Sequence, residues 1–346
     1  MSKRLVVALG VVMLLGSVFA GVAKAGPISV YGAWHCGSDY CTWASVRNMT
    51  DFDQKNRWLI DRGDGRPSVN LVILSFVHPL RLLNKTTDPQ TSEGVPIGMT
   101  QTVVDYFKTQ NIRVMLSIGG ITYVDAWNQA LAANATQLGL NAAEVAQRLG
   151  VGIEIDYEEN SNPNLVGLQA FVDAYRSVHP YDATGLNPAA RLTIDLAAGD
   201  RWLIALTRKA TTDWLDTRVP VLDYANAMVP ARQPRSAADA IANWQEHVDG
   251  KSRYSPPVPP LAPAKFSGSL FIATGNKPAP ECVNFNNSLQ KSTGSYVQTV
   301  APNGAGVSSG MLGYMFWAAE CQGTRTICTT PPNSCQGGVG AGATSY

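Results

Sequence analysis

The chain has 346 residues, of which 45% are hydrophobic and 15% charged, with 27 Lys and Arg against 26 Asp and Glu for a net charge of +1. A balance so close to neutral gives no electrostatic case for nucleic acid or an anionic membrane surface as partner. The length suits one large domain or two small ones.

Residues 1–25, MSKRLVVALGVVMLLGSVFAGVAKA, combine a basic start, an apolar run and an Ala-Lys-Ala end. They read as a secretory signal peptide cleaved after Ala25. The apolar run is short for a bilayer span, and no later segment is long and apolar enough to be one. The expectation is an exported protein, extracellular or periplasmic, and monomeric. Removing 25 of the 346 residues leaves 321, and the loss of Lys3, Arg4 and Lys24 turns the charge from +1 to −2. All six cysteines lie beyond the signal, which in an exported chain reads as disulfides. Proximity favours Cys36–Cys41 and Cys328–Cys335, leaving Cys282–Cys321 as a long-range bridge.

Along the chain, short apolar runs recur from Ile28, Val69, Ile112, Val151, Arg191, Tyr224, Ser269 and Met311, spaced 33 to 45 residues apart. That spacing holds a strand, a loop, a helix and a return loop. Helical stretches fall between them from Val103, Asn141, Leu168 and Ala238. Alternation of this kind predicts a parallel sheet, and eight strands predict an α/β fold of the closed (β/α)8 TIM-barrel type. A doubly wound open sheet is the alternative. It would want a glycine-rich phosphate loop after the first strand, and Gly32-Ala33-Trp34-His35 is not one. After Cys321 the sequence is rich in Gly, Pro and Thr without helical period, so the eighth helix is expected to be incomplete or replaced. The organisation expected is a signal peptide at 1–25, a barrel at 26–320 and a tail at 321–346.

The fourth run, GVGIEIDYEEN, alternates acidic and apolar residues. Side chains alternate across a strand, so Ile153, Ile155 and Tyr157 share one face and Gly152, Glu154, Asp156 and Glu158 the other. In a barrel the apolar set meets the helices and the acids point inward. Carboxyls crowded in a restricted interior resist simultaneous ionisation, so at least one pKa should rise. A carboxylic acid with a raised pKa can protonate a leaving oxygen. Glu158, outermost toward the C-terminal end where barrel sites sit, is the best candidate acid. Asp156 either shares a proton with Glu154 or turns toward Glu158. A pair of acids acting on a glycosidic bond is the commonest use of such an arrangement, and a divalent-metal site is the alternative. His35, His78, His179 and His247 form no metal pattern, and no metal site or cofactor is expected.

GVGIEIDYE resembles the Asp-Gly-x-Asp-x-Asp-x-Glu signature of glycoside hydrolase family 18, the chitinase family. Gly152, Asp156 and Glu158 match, while Val151 and Glu154 stand where the family has its first and middle Asp. LSIGG, Leu116 to Gly120, resembles the third-strand Ser-x-Gly-Gly, and GYMFW, Gly313 to Trp317, the eighth-strand Gly-x-Met-x-Trp. The resemblance spans Ile28 to Trp317. It implies retaining hydrolysis assisted by the substrate's own N-acetyl group. Glu158 would act as general acid and base, Asp156 would orient the acetamide, and Glu154 would sit beneath. It implies Trp317 as the floor under the cleaved sugar. Ser117, Gly119 and Met228 are carried over as substrate-binding positions.

One departure is plain. The family's sixth strand ends Met-x-Tyr, and here Pro230 follows Met228 where the tyrosine belongs. Asn226, Arg232 or Gln233 would then have to supply the missing hydrogen bond. Thr193, Asp195 and Ala197 share a face of the fifth strand. Asp195 is expected beside Glu154, where it would replace the absent first Asp. Tyr31 and Phe76 are candidates for lining sugar subsites, with barrel filling as the alternative. Trp127 and Trp202 are expected as exposed stacking platforms near the mouth. The expected activity is a chitinase acting on chitin or another N-acetylglucosamine-containing glycan. An endo-acting enzyme on N-glycans and a catalytically silent glycan-binding barrel are the alternatives.

Overall fold

The computed structural model describes residues 30–36, 49–60, 67, 69–197, 202–215, 218, 220–228, 237–271, 273–274, 277–278 and 311–317. At its centre eight strands form a closed barrel. They are β1 (Val30–Cys36), β2 (Leu71–Val77), β3 (Arg113–Gly119), β4 (Gly152–Asp156), β5 (Leu192–Leu196), β6 (Ala225–Ala227), β7 (Phe266–Phe271) and β8 (Gly313–Trp317). All pair in parallel, and β1 pairs with both β2 and β8, which closes the cylinder. Each strand begins within three residues of the apolar run that predicted it. The signal peptide, the disulfide pairings, the tail and the question of an eighth helix lie outside the described residues.

Period-2 alternation sorts the strand residues into two cores. Val72, Leu74, Val114, Leu116, Ile153, Ile155, Leu192 and Ile194 face outward and join the helices' apolar faces in one buried cluster. The helices are α1 (Met49–Ile60), the short α2 (Pro79–Leu83), α3 (Gln101–Lys108), α4 (Val124–Leu149), α5 (Leu165–Val178), α6 (Ile204–Lys209) and α7 (Ala237–Asp249). Inside the barrel a second cluster forms an apolar floor from Val30, Trp34, Leu71, Ile73, Met115, Tyr224, Leu312 and Met315. Above it the inward positions turn polar: Ser117 on β3, Glu154 on β4, Thr193 on β5, Asn226 on β6, Ser267 and Ser269 on β7, all buried.

Local chemistry fixes the helix ends. Thr100 and Asn164 accept backbone N–H groups of Val103 and Gly167 at the starts of α3 and α5, satisfying donors that the first turn leaves free. The sequence predicted a helix only from Asn141. The structure extends it back to Val124, with a kink at Asn134 (φ −165°, ψ 81°) joining two helical segments. The alanine-rich stretch before the kink buries Ala126, Trp127, Ala130 and Leu131, and this packing sustains the extra turns. At the lower end, the buried Asp223 carboxylate lies 3.2 Å from Arg176 and 3.8 Å from Arg191, and accepts the Leu192 N–H at 2.8 Å. One anion thereby ties α5, β5 and the approach to β6 together.

Candidate active site

Glu154 and Asp156 lie in β4, and Glu158 follows just beyond its C-terminal end, at the mouth of the barrel. Ile153, Ile155 and Tyr157 are buried against the helices, so the alternating register sends the three acids inward. Glu154, Asp156 and Asp195 are 0%, 4% and 2% exposed, whereas Glu158 is only partly covered. The outermost acid is therefore the one that a ligand in the mouth can reach.

Glu154 is held on both oxygens. Trp34 on β1 donates its indole N–H to Oε1 at 2.9 Å, and Asn226 on β6 donates its amide N–H to Oε2 at 2.7 Å. Ser117 is its register partner on β3. Asp195 was expected beside it on the adjacent strand. The pairing register puts Thr193, not Asp195, opposite Glu154. Asp195, one step higher, nevertheless lies close enough for the Glu154 charge to raise its carboxyl. Asn226, expected as a stand-in for the tyrosine that holds the acetamide, is instead fully buried and occupied by Glu154 and by Ser267. Its short side chain ends in the polar layer, below the mouth.

Burial lifts the Glu154 carboxyl above its ordinary range, against the hydrogen bonds from Trp34 and Asn226 that favour the anion. Burial, then the charges of Glu158 and Glu154, raise Asp156 further. Burial and the neighbouring Glu154 and Asp156 do the same to Asp195. Glu158 is pushed from 4.5 to about 7, chiefly by burial, with the Ile121 backbone N–H opposing. All four shifts are upward, so these acids hold more protons in the folded chain than in the unfolded one; His35 and His247, which burial pushes down from 6.5 to about 4 and about 3, act in the opposite sense below about pH 6.5. Above about pH 6.5 the acids act unopposed, so stability should fall there as pH rises through the Glu158 value near 7. Melting temperature measured from about pH 6.5 to pH 8 is expected to decline, and Glu158→Gln is expected to flatten the decline. An unchanged slope in that variant would contradict the Glu158 assignment.

The remaining predicted positions divide. Gly119 and Trp127 turn out to brace β4. Gly119 has φ +123°, and a Cβ there would lie 1.8 Å from the Asp156 carbonyl oxygen and 2.3 Å from Trp127 Nε1. Trp127 was expected as an exposed stacking platform; it is 0% exposed. Its indole N–H is shared between the Ile118 and Asp156 carbonyls at 3.2 and 3.1 Å, and its ring meets Tyr157 and Phe171. The start of α4 turns inward rather than over the mouth, so Trp127 is a core clamp, not a sugar platform. Trp127→Phe should cost about 1–3 kcal/mol in a denaturant titration, because the Ile118 and Asp156 carbonyls each lose a buried hydrogen bond.

Trp202 is half-buried, its apolar surface against the core. Met228 is also half-buried beside the core, immediately after β6. Phe76 is half-buried at the end of β2, its ring 3.2 Å from where a Cβ on Gly120 would sit. Tyr31 and Trp317 lie in β1 and β8, but their side chains are outside the described set, as are Pro230, Arg232 and Gln233. Trp34 and Asn226 are the residues whose role against Glu154 the sequence did not disclose. Among the described residues no cluster of three or more His, Cys, Asp or Glu is arranged to hold a metal ion.

The pairing defines a closed parallel barrel with acids stacked toward its C-terminal mouth, and comparison with solved structures narrows the fold. No protein-family model matches the sequence, and no curated protein matches it. Solved structures do. A GH18 chitinase from Pseudoalteromonas aurantia superposes with TM-score 0.50 at 14% identity, covering 75% of this chain and 89% of the other. A chitinase from Aspergillus fumigatus gives 0.51 at 12% identity, covering 85% and 94%. The fold is that of the GH18 chitinases.

Proposed function

We propose that the chain is a chitinase-like glycoside hydrolase that cleaves β-1,4-linked N-acetylglucosamine with retention, assisted by the substrate's acetamide. The reading is carried by the acid stack, in which Glu158 alone among four inward carboxyls is partly exposed, and it is pushed up to about 7. An acid of that strength is still substantially protonated near neutrality and can donate to a leaving oxygen. Asp156, beside it, keeps a buried Oδ1 without a hydrogen-bond partner, a place suited to the acetamide N–H.

In the proposed sequence Glu158 gives its proton to the glycosidic oxygen as the acetamide carbonyl oxygen attacks the anomeric carbon. The bond to the leaving sugar breaks and a cyclic oxazolinium forms, its N–H held by Asp156. The Glu158 carboxylate then takes a proton from water. The water oxygen adds to the anomeric carbon from the face the leaving group vacated, the ring opens, and the β configuration is restored. Export through residues 1–25 and action as a monomer on an extracellular glycan belong to the same proposal.

Incubation with chitin oligosaccharides is expected to give shorter oligomers released first as the β anomer, read by proton NMR. Release of glycans from a high-mannose glycoprotein, with chitin oligomers intact, would transfer the same acid chemistry to N-glycans. Binding without cleavage of either would overturn the hydrolase reading.

A further inference from the structure

The acid stack contains a support that the catalytic reading does not use. Asp195 on β5, Asn226 on β6 and Ser267 on β7 occupy one register row across three adjacent strands. Asn226 sits in the middle of the row and is 0% exposed. Its amide N–H reaches across the barrel to Glu154 Oε2 at 2.7 Å, and its Oδ1 accepts the Ser267 hydroxyl at 2.5 Å. Trp34 fills the other Glu154 oxygen. Indole and amide N–H groups donate and cannot accept, so both favour the carboxylate form of Glu154. By donating to Oδ1, the Ser267 hydroxyl supports the orientation in which the amide N–H points at Glu154. A flipped amide would aim its own oxygen at Glu154, oxygen against oxygen in a dry interior.

We infer that Asn226, steadied by Ser267, is a positioning residue that fixes the negative charge of the buried array on Glu154 and leaves the shared proton with Asp195 and Asp156. The inference rests on the hydrolase reading for its catalytic consequence but not for its geometry. The titratable groups facing Glu154 are Asp156 and Glu158 from its own strand and Asp195 from β5. The other described groups around it, Ser117, Trp34, Asn226 and Ser267, are uncharged, and the Tyr224 phenol belongs to the apolar floor below. The charge of Glu158 bears on Asp156 and Asp195, which lie nearer the mouth than Glu154. Where the anion resides therefore decides how strongly it opposes ionisation of Glu158.

Three variants test this: Asn226→Leu, Ser267→Ala and the hydroxyl-retaining Ser267→Thr. In Asn226→Leu the charge moves up toward Asp195 and Asp156. Turnover on a chitin oligosaccharide is expected to fall about tenfold or more, the effect of losing one charge-assisted hydrogen bond, with KM within about twofold. The alkaline limb of its pH profile moves to higher pH, because an anion closer to Glu158 holds its proton more tightly. Ser267→Ala moves the limb the same way by less, and Ser267→Thr restores it. Carbon-13 titration of the Glu and Asp carboxyls, on the same proteins without substrate, reads the charge location independently of activity. Folded variants whose carboxyl titrations superimpose on the wild type would overturn the inference and leave the hydrolase reading standing. A shifted titration in a protein that cleaves nothing would support the positioning role and sink the hydrolase reading. If Asn226→Leu does not fold, Ser267→Ala, which removes a single oxygen, decides alone.

Discussion

Glu158→Gln is expected to lower turnover on chitin oligosaccharides by about 10²–10⁴-fold, the usual range for loss of a general acid–base group. Glutamine keeps the volume and can still hydrogen-bond the glycosidic oxygen, but it has no proton to give and no carboxylate to activate water. KM should change little, because packing in the mouth is preserved. The alkaline limb governed by the group near pH 7 should vanish from the residual profile. The comparison variant is Asp156→Asn, which leaves the proton donor and removes the carboxyl oxygen proposed to hold the acetamide N–H. It should reduce turnover while the limb near pH 7 stays, since burial is what raises Glu158. Turnover within about twofold of wild type in Glu158→Gln would remove the hydrolase assignment.

The second large effect is on stability. Gly119→Ala is expected to destabilise the fold by roughly 3–5 kcal/mol, combining overpacking with a backbone angle that side chains rarely adopt. The new methyl would meet the Asp156 carbonyl oxygen and the Trp127 indole nitrogen at 1.8 and 2.3 Å. Neither can retreat cheaply. The carbonyl belongs to β4, and it also accepts the Trp127 and Gly120 N–H groups. The displaced strand carries Glu154 and Asp156, so activity should fall together with the denaturation midpoint. A variant that unfolds at the wild-type midpoint would show that β3 and β4 are less tightly apposed than described.

The fold was readable in the sequence because each strand of a parallel barrel is wrapped on its outer face. That burial leaves a Val/Ile/Leu run, and the crossover helix sets its spacing. Leu71 to Val77 and Leu192 to Leu196 are of this kind. The direction of Glu154, Asp156 and Glu158 was readable because period two needs no tertiary information. What surrounds Glu154 was not. Trp34 and Asn226 meet it from 120 and 72 residues away, and nothing local in either stretch marks a partner. Trp127 misled for a related reason. An aromatic in the first turn after a strand reads alike whether its helix leans over the mouth or into the sheet. The one-step offset of Asp195 arose because strand pairing register depends on loop geometry that residue type does not encode.

The apolar floor has a consequence for traffic. Val30, Leu71, Ile73, Met115, Tyr224, Leu312 and Met315 seal the acids from the lower end of the cylinder, much as a plug seals a flask. In the proposed hydrolysis, sugar chain, attacking water and departing product would all use the mouth, and each proton leaving Glu158 would be replenished from that side. Slow departure of a product would then block the next water as well, tying the resetting of the acid to the emptying of the cleft.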